Sequence, residues 1–490
     1  NFAPNSFRRF FKRCCSERNK RRRRIIYLMN TLFQGFKRGM VPIQLKSLGR
    51  SVMETKLQLG TARPEPSERW QLVAERVLPQ IMAKWMPDYL ARHRNGTISR
   101  NATVESSFEK MGSLGFYRRN LIEKHFTAYF SAVVSPQFLY FEDCCFSNEK
   151  FAYTVKGVYF SYLEDSDLIK ELKLAKHHRV VPAGIVEPGK VRLITKPEAL
   201  THTLMKNHQQ DLHGYLKRLT PFEAIGYPIG PVQILKFLDR SQTGKFFISG
   251  DFASATNSVR LEASRFVTRS MLDIDSGRVR ALSPLHAYHS YYKELVLESI
   301  CNTDIMFSRF KVPNLGSTPW NRFKTPYQKK QLDQEFVKYF GLSDCRQQNG
   351  QLMGHVLSFL ILCLINFISY HDFRERLCDT KLRYEETCND VLINGDDILF
   401  SVNSLEEYHV WEACINDAGF TLSPGKNLVN KSLLMINSRL FRTQEDVDFG
   451  RHVEQIGFAN FGLLTGRKKG EMSHELRMLP KGTIWQSQLT

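Results

Sequence analysis

Cysteines in metal-binding or disulfide spacing are missing from this sequence. Cys14-Cys15 and Cys144-Cys145 are adjacent pairs, and the other six of the ten cysteines are scattered, with no Cys-x-x-C anywhere. That disfavours a structural zinc framework and a disulfide-stapled fold, and reduced thiols are expected instead. Long hydrophobic runs are missing too. The most apolar stretch, Val356–Phe367, falls far short of the roughly 20 residues a membrane span requires, so it reads as a buried helix. The N-terminus is basic and interrupted, unlike a secretory signal. Acidic residues are scarce at the start of the chain. Residues 1–50 hold fourteen Lys or Arg against the single Glu17, which accounts for +13 of the formal net charge of +20. Such an excess favours a polyanionic partner, either a nucleic acid or an anionic membrane surface.

What is present describes a folded chain of some size. Its 490 residues, 42% hydrophobic and 24% charged, exclude general disorder and are enough for two or three domains. Residues 1–45 read as a basic extension, densest at Arg21-Arg22-Arg23-Arg24, suited to phosphate contacts that weaken as salt rises. Spacing of aromatic and aliphatic residues around Trp70–Leu90 predicts helix. In Val180–Thr195 a Pro188-Gly189 turn precedes Lys190-Val191-Arg192-Leu193, whose alternation puts both cations on one face of a short strand. Phe246–Gly250 predicts a strand ending at Asp251, and Ser258–Leu272 a helix. Gly350 and Gly354 flank a loop before the apolar helix Val356–Tyr370. Val391–Ile393 and Ile398–Val402 predict a hairpin turning through Asn394-Gly395-Asp396-Asp397.

Two carboxylates at strand ends suit nucleotidyl transfer. Two divalent ions roughly 3.5–4 Å apart can stabilise the attacking and leaving oxygens of an in-line displacement. Magnesium takes few protein carboxylates, which must converge from separate elements. Asp251 and Asp396 would do so if their strands were neighbours. By itself, Gly395-Asp396-Asp397 is also an ordinary polar turn.

The ordered set of segments is more specific. Glu187-Pro-Gly-Lys-Val-Arg192, Gly250-Asp-Phe-Ala-Ser-Ala-Thr-Asn257, Gly350-Gln-Leu-Met-Gly354 with Ser358-Phe359 and Asn366, Asn394-Gly-Asp-Asp397, and Leu422-Ser-Pro-Gly-Lys-Asn427 resemble motifs F, A, B, C and D of viral RNA-dependent RNA polymerases, in that family's order. Met435–Leu440 resembles a degenerate form of the family's motif E. The likeness is greatest to the ourmia-like (botourmiavirus) and narnavirus group and covers about residues 180–442.

The resemblance implies an α+β right-hand polymerase with fingers, palm and thumb, its antiparallel palm sheet backed by helices. Fingers would occupy 46–244, including motif F. The palm would occupy 245–442, with a fingers insertion at 273–349, and 443–490 would form a short or truncated thumb. Implied metal ligands are Asp251 and Asp396, with Asp397 at the periphery, for Mg2+ or alternatively Mn2+. Lys190 and Arg192 would hold the incoming triphosphate, and Lys426 would protonate the leaving pyrophosphate. Gly350 and Gly354 would let the motif B loop bend, while Ser358 and Asn366 would position the nucleotide sugar. Ser358 is equally suited to a hydrogen bond within the core. Asn257 stands where the family usually has a second aspartate, and it suits either a sugar contact or a cap on the helix beginning near Ser258. Implied partners are an RNA template and product and ribonucleoside triphosphates, with an anionic membrane surface as a further candidate and no obligate protein partner evident. Replication of a positive-strand RNA genome in the host cytoplasm is expected, with the mitochondrion as the alternative. A reverse transcriptase and a non-catalytic basic RNA-packaging protein are the competing readings.

Overall fold

The computed structural model describes residues 26–31, 45–85, 101–107, 110, 112–113, 178–187, 190–226, 228–241, 244–276, 285–313, 325–446 and 450–457. The Arg21–Arg24 cluster and most of 443–490 lie outside the described residues. In chain order the main elements are α1 (Leu45–Gly60), α2 (Glu68–Ile81), β1 (His178–Glu187), β2 (Lys190–Lys196), α3 (Ala199–Leu216), α4 (Pro231–Arg240), β3 (Phe246–Asp251), α5 (Ala255–Ser258), α6 (Leu261–Ser276), α7 (Leu285–Cys301), β4 (Thr303–Ile305), α8 (Pro326–Tyr339) and β5 (Cys345–Arg346). They continue with α9 (Ser358–Cys378), β6 (Val391–Asn394), β7 (Asp397–Val402), α10 (Leu405–Asp417), β8 (Leu428–Asn430), β9 (Leu433–Ile436), β10 (Arg439–Asp446) and β11 (Gly450–Ile456).

The central sheet runs β6-β7-β3-β8 and is antiparallel throughout. Its two faces follow from strand alternation. Ile248, Ile398, Phe400 and Val402 turn toward α9 and join the largest core, with α2, α6 and α10 packed around it. Phe247, Leu392 and Leu399 turn the other way, onto α4 and a second sheet, β11-β10-β9. Gly250 faces the α9 side, where a Cβ would meet Ile398 at 2.8 Å and Trp411 at 2.9 Å.

A third sheet, β2-β1-β4-β5, departs from all-antiparallel pairing. β1 and β2 form the expected hairpin, but β1 pairs with β4 in parallel, His178–Val180 against Thr303–Ile305. The mixed segment 273–349 therefore returns to the strand pair that carries Arg192. Its core is shared with Leu48, Val52 and Leu59 of α1.

The apolar run is a buried helix, as expected, but it starts at Ser358 and continues eight residues past Tyr370. His371-Asp372-Phe373-Arg374-Glu375-Arg376 reads like a polar exit, yet its charges are matched inside the fold. Asp372 pairs with Arg69 of α2 at 2.7 Å and with Arg376 at 2.9 Å. Glu375 pairs with Arg76, and Arg374 with Asp390 at 2.8 Å. Buried charge persists where a partner and hydrogen bonds meet it. Among the described residues no helix is long and apolar enough to cross a membrane, and Cys301, Cys345, Cys363, Cys378, Cys388 and Cys414 are free thiols.

Candidate catalytic site

The polar ends of β3 and β7 lie side by side, with Asp251 directly opposite Asp397. Alternation puts Asp251 and Asp397 on the face shared with Phe247 and Leu399, beyond the apolar part of the sheet. The turn itself is tighter than the sequence suggests. Asn394 and Asp397 pair as strand residues, leaving Gly395 and Asp396 as a two-residue loop. Gly395 takes φ +69 and Asp396 does not take a positive φ, the pattern of a type II′ turn. Asp396 thus stands at the tip, next to Asp251.

Helix α9 holds that tip from beneath. The Gly395 N–H donates to Cys363 Sγ at 3.2 Å, and the Asn366 amide donates to the Gly395 carbonyl at 3.1 Å. A Cβ on Gly395 would sit 2.7 Å from the Phe359 ring. Both peptide groups of the turn glycine are therefore bound by side chains of a buried helix. Asn366 is fully buried, and its Oδ1 has no hydrogen-bond partner among the described residues.

The segment 421–427 wraps around Asp251. The Asp251 N–H donates to Asn427 Oδ1 at 2.8 Å, Ser423 N–H donates to the Asp251 carbonyl at 2.8 Å, and Ala253 N–H donates to the Thr421 carbonyl at 2.7 Å. These bonds aim Lys426, whose Nζ meets Asp251 Oδ2 at 2.7 Å. The Asp396 side chain is exposed by area at the tip of its turn, with protein packed closely around it. Its carboxyl is raised above the ordinary carboxylate range by lost solvation and then by the Asp251 carboxylate, with Lys426 and Arg192 opposing. Arg192 is exposed on β2 while Val191 is buried, as the alternation predicts for these two residues. Lys190 opens the same strand, with its side chain outside the described residues.

The glycine loop is a place of close approach. Gly350 has φ +71, and a Cβ there would sit 2.8 Å from the carbonyl oxygens of Asn257 and Thr256. A Cβ on Gly354 would run into the Thr195 carbonyl of β2. Gly354→Ala is therefore expected to lower stability by about 3 kcal/mol, since backbone on both sides must move. Chemical denaturation of parent and variant checks this, and equal midpoints would show that the loop has room.

Two residues sit differently from one of their expected roles. Ser358 is buried and donates to Gln351 Oε1 at 2.8 Å, the core hydrogen bond rather than an exposed hydroxyl. Asn257 does not cap a helix. It lies inside α5, α6 begins only at Leu261, and its amide donates to Gln58 Oε1 of α1 at 3.1 Å. Asn427, Cys363 and Phe359 were not singled out as supports, although all three lie within or beside the recognised segments.

No protein-family model matches the chain. The chain is similar to the RNA-dependent RNA polymerase of Ourmia melon virus (isolate Melon/Iran/VE9), at 26% identity over 318 residues, which is 62% of this chain and 31% of that protein. The match spans about a third of that relative's length. It bears out the resemblance to viral RNA-dependent RNA polymerases of the ourmia-like group.

Proposed function

We propose that this chain carries out RNA-templated RNA synthesis for a positive-strand RNA virus, by nucleotidyl transfer at Asp251 and Asp396. The observation that carries this reading is the meeting of those two carboxylates at adjacent strand ends, with Lys426 2.7 Å from Asp251. In this reading the central sheet with α9 is the palm, the sheet of β1, β2, β4 and β5 belongs to the fingers, and the residues after 442 begin a thumb. The host cytoplasm, with the mitochondrion as the alternative, is the proposed place of synthesis.

The donor set suits magnesium or manganese. Both carboxylates offer hard oxygens, one of them binds a proton more tightly than an ordinary carboxylate, and an ammonium already rests on the other. Among the described residues no three His, Cys, Asp or Glu converge tightly enough to hold an ion alone. Magnesium usually keeps waters and substrate phosphates in its shell, so two carboxylates with Asp397 nearby are sufficient. Bound there, the ions would supply charge stabilisation to the attacking and leaving oxygens.

The chain's own groups do the rest. Arg192, with Lys190, draws the triphosphate to the carboxylate pair. Lys426 is placed to give a proton to the departing pyrophosphate. Asn257 and Asn366 are the sugar-contact candidates. For Asn366 the unused Oδ1 is the atom that could accept from a ribose hydroxyl, and reaching it requires α9 to shift from its present buried position.

The deciding experiment is extension of a primed RNA by the purified chain with Mg2+. Ribonucleotides should be incorporated and deoxyribonucleotides should not. Preference for deoxyribonucleotides would favour reverse transcription, and RNA binding without incorporation would favour packaging.

The raised Asp396 carboxyl has a signed consequence. The folded chain binds that proton more tightly than the unfolded chain, so stability is lost as pH rises from the ordinary carboxylate value through the raised one. A divalent ion relieves the repulsion between the deprotonated groups. Thermal unfolding should therefore show Mg2+-induced stabilisation that is present at neutral pH, fades on acidification through that window, and is much reduced in Asp396→Asn. Stabilisation by Mg2+ that is independent of pH and of the substitution would place the ion elsewhere.

A further inference from the structure

The second sheet packs on Leu392 and Leu399 of the carboxylate hairpin and also reaches it by a side-chain hydrogen bond. Ile436 and Arg439 pair across the β9–β10 connection, leaving Asn437 and Ser438 as its two-residue turn. Both take left-handed backbone, φ +53 and +60, which fits a type I′ turn. Asn tolerates that conformation better than most residues. Its amide then spans two other segments. Asn437 Oδ1 accepts from Asn394 Nδ2 at 2.6 Å, and Asn437 Nδ2 donates to the Ala224 carbonyl at 3.3 Å.

Asn394 is the last residue of β6, immediately before Gly395-Asp396. Alternation puts it on the same face as Leu392, Asp397 and Asp251, the face covered by β9 and β10. A second link lies alongside, where the Met435 N–H donates to Ser249 Oγ at 2.8 Å, two residues before Asp251. Helix α9 holds the turn through the peptide groups of Gly395. Strand pairing sets the register of the turn, with Asp397 opposite Asp251 and Asn394 opposite Asp397, and Asn437 adds a side-chain tie from the second sheet to Asn394.

We propose that Asn437 is a positioning residue for Asp396. It acts through Asn394 to fix the turn's lateral position against the second sheet, so that the Asp396 carboxylate stays in register with Asp251. The activity readout rests on the polymerase reading; the ion-binding readout does not.

Asn437→Gly keeps the left-handed turn and deletes the amide, so it isolates the side chain from backbone strain. Asn437→Asp keeps an oxygen where Asn394 donates. In the full chain, Asn437→Gly should lower kcat roughly ten- to hundredfold, the order expected when a reacting geometry is misplaced by about 1 Å. It should also raise severalfold the Mg2+ concentration that half-saturates thermal stabilisation, with RNA affinity and nucleotide KM unchanged. Asn437→Asp should stay within about threefold of the parent by the same rule. Asn394→Ala should mimic Asn437→Gly, and the double variant should be no worse than either. Parent-like kcat and Mg2+ response in Asn437→Gly would overturn the proposal, as would equal losses in kcat and RNA affinity or additive effects in the pair. A parent chain that incorporates nothing would sink the polymerase reading alone, because the Mg2+ titration still reports the carboxylate pair.

Discussion

Asp396→Asn is expected to lose at least about a thousandfold in nucleotide addition, several kcal/mol of transition-state stabilisation, while binding RNA within about twofold of the parent. The reason lies in how the turn is built. Its shape depends on Gly395, whose N–H and carbonyl are bound by Cys363 and Asn366, and on the Asn394–Asn437 bond. None of these involves the Asp396 carboxylate, so Asn can occupy the tip without rearranging it. Replacement also removes repulsion against Asp251, so the metal-free protein at neutral pH should melt no lower than the parent. In the proposed reading RNA affinity would reside mainly in basic groups, such as Arg192 and the Arg21–Arg24 cluster, through counterion release. A loss of synthesis combined with unchanged folding and unchanged RNA affinity is the signature of a catalytic carboxylate. Near-normal extension by this variant, measured on a primed template at saturating Mg2+, would refute the site assignment.

Local pattern carried the sequence reading a long way, and it stopped where long-range contacts begin. Phe246–Asp251 and the two strands around Gly395-Asp396 were legible because apolar residues run between punctuating polar ones. Their adjacency was an expectation of chemistry, and it appears as the Asp251–Asp397 pair. The exact turn was not legible. Asn-Gly signals a turn, but Asn394 stays in the strand, paired with Asp397, and its amide is met by Asn437, 43 positions away. The C-terminal reach of α9 was hidden for the same reason, since Arg69 and Arg76 neutralise its acids from near the other end of the described chain. Parallel pairing of β4 with β1 joins segments more than a hundred residues apart, and no periodicity announces it. The glycines show a different limit. Sequence gives Gly350 and Gly354 a reason to bend, whereas their positions also require close approach to Asn257 and Thr195, which only packing reveals.

Lys426 separates two roles that the same geometry permits. At 2.7 Å from Asp251 it balances charge on the carboxylate pair, and at the end of the 421–427 wrap it is also placed to deliver a proton. The two roles predict different responses of kcat. If charge balance were its whole contribution, Lys426→Ala would tighten Mg2+ binding, because a competing cation is gone, and kcat at saturating Mg2+ would be unchanged. If proton delivery to pyrophosphate is its task, kcat at saturating Mg2+ should fall about a hundredfold even though Mg2+ binds more tightly. Lys426→Arg sharpens the distinction. A guanidinium keeps the positive charge and does not give up its proton in a protein, so it should restore the parental Mg2+ response without restoring kcat. We expect this second pattern. Recovery of parental kcat in Lys426→Arg would mean that positive charge beside Asp251 is all the reaction requires, and the proton would then have to reach the pyrophosphate from another group or from water.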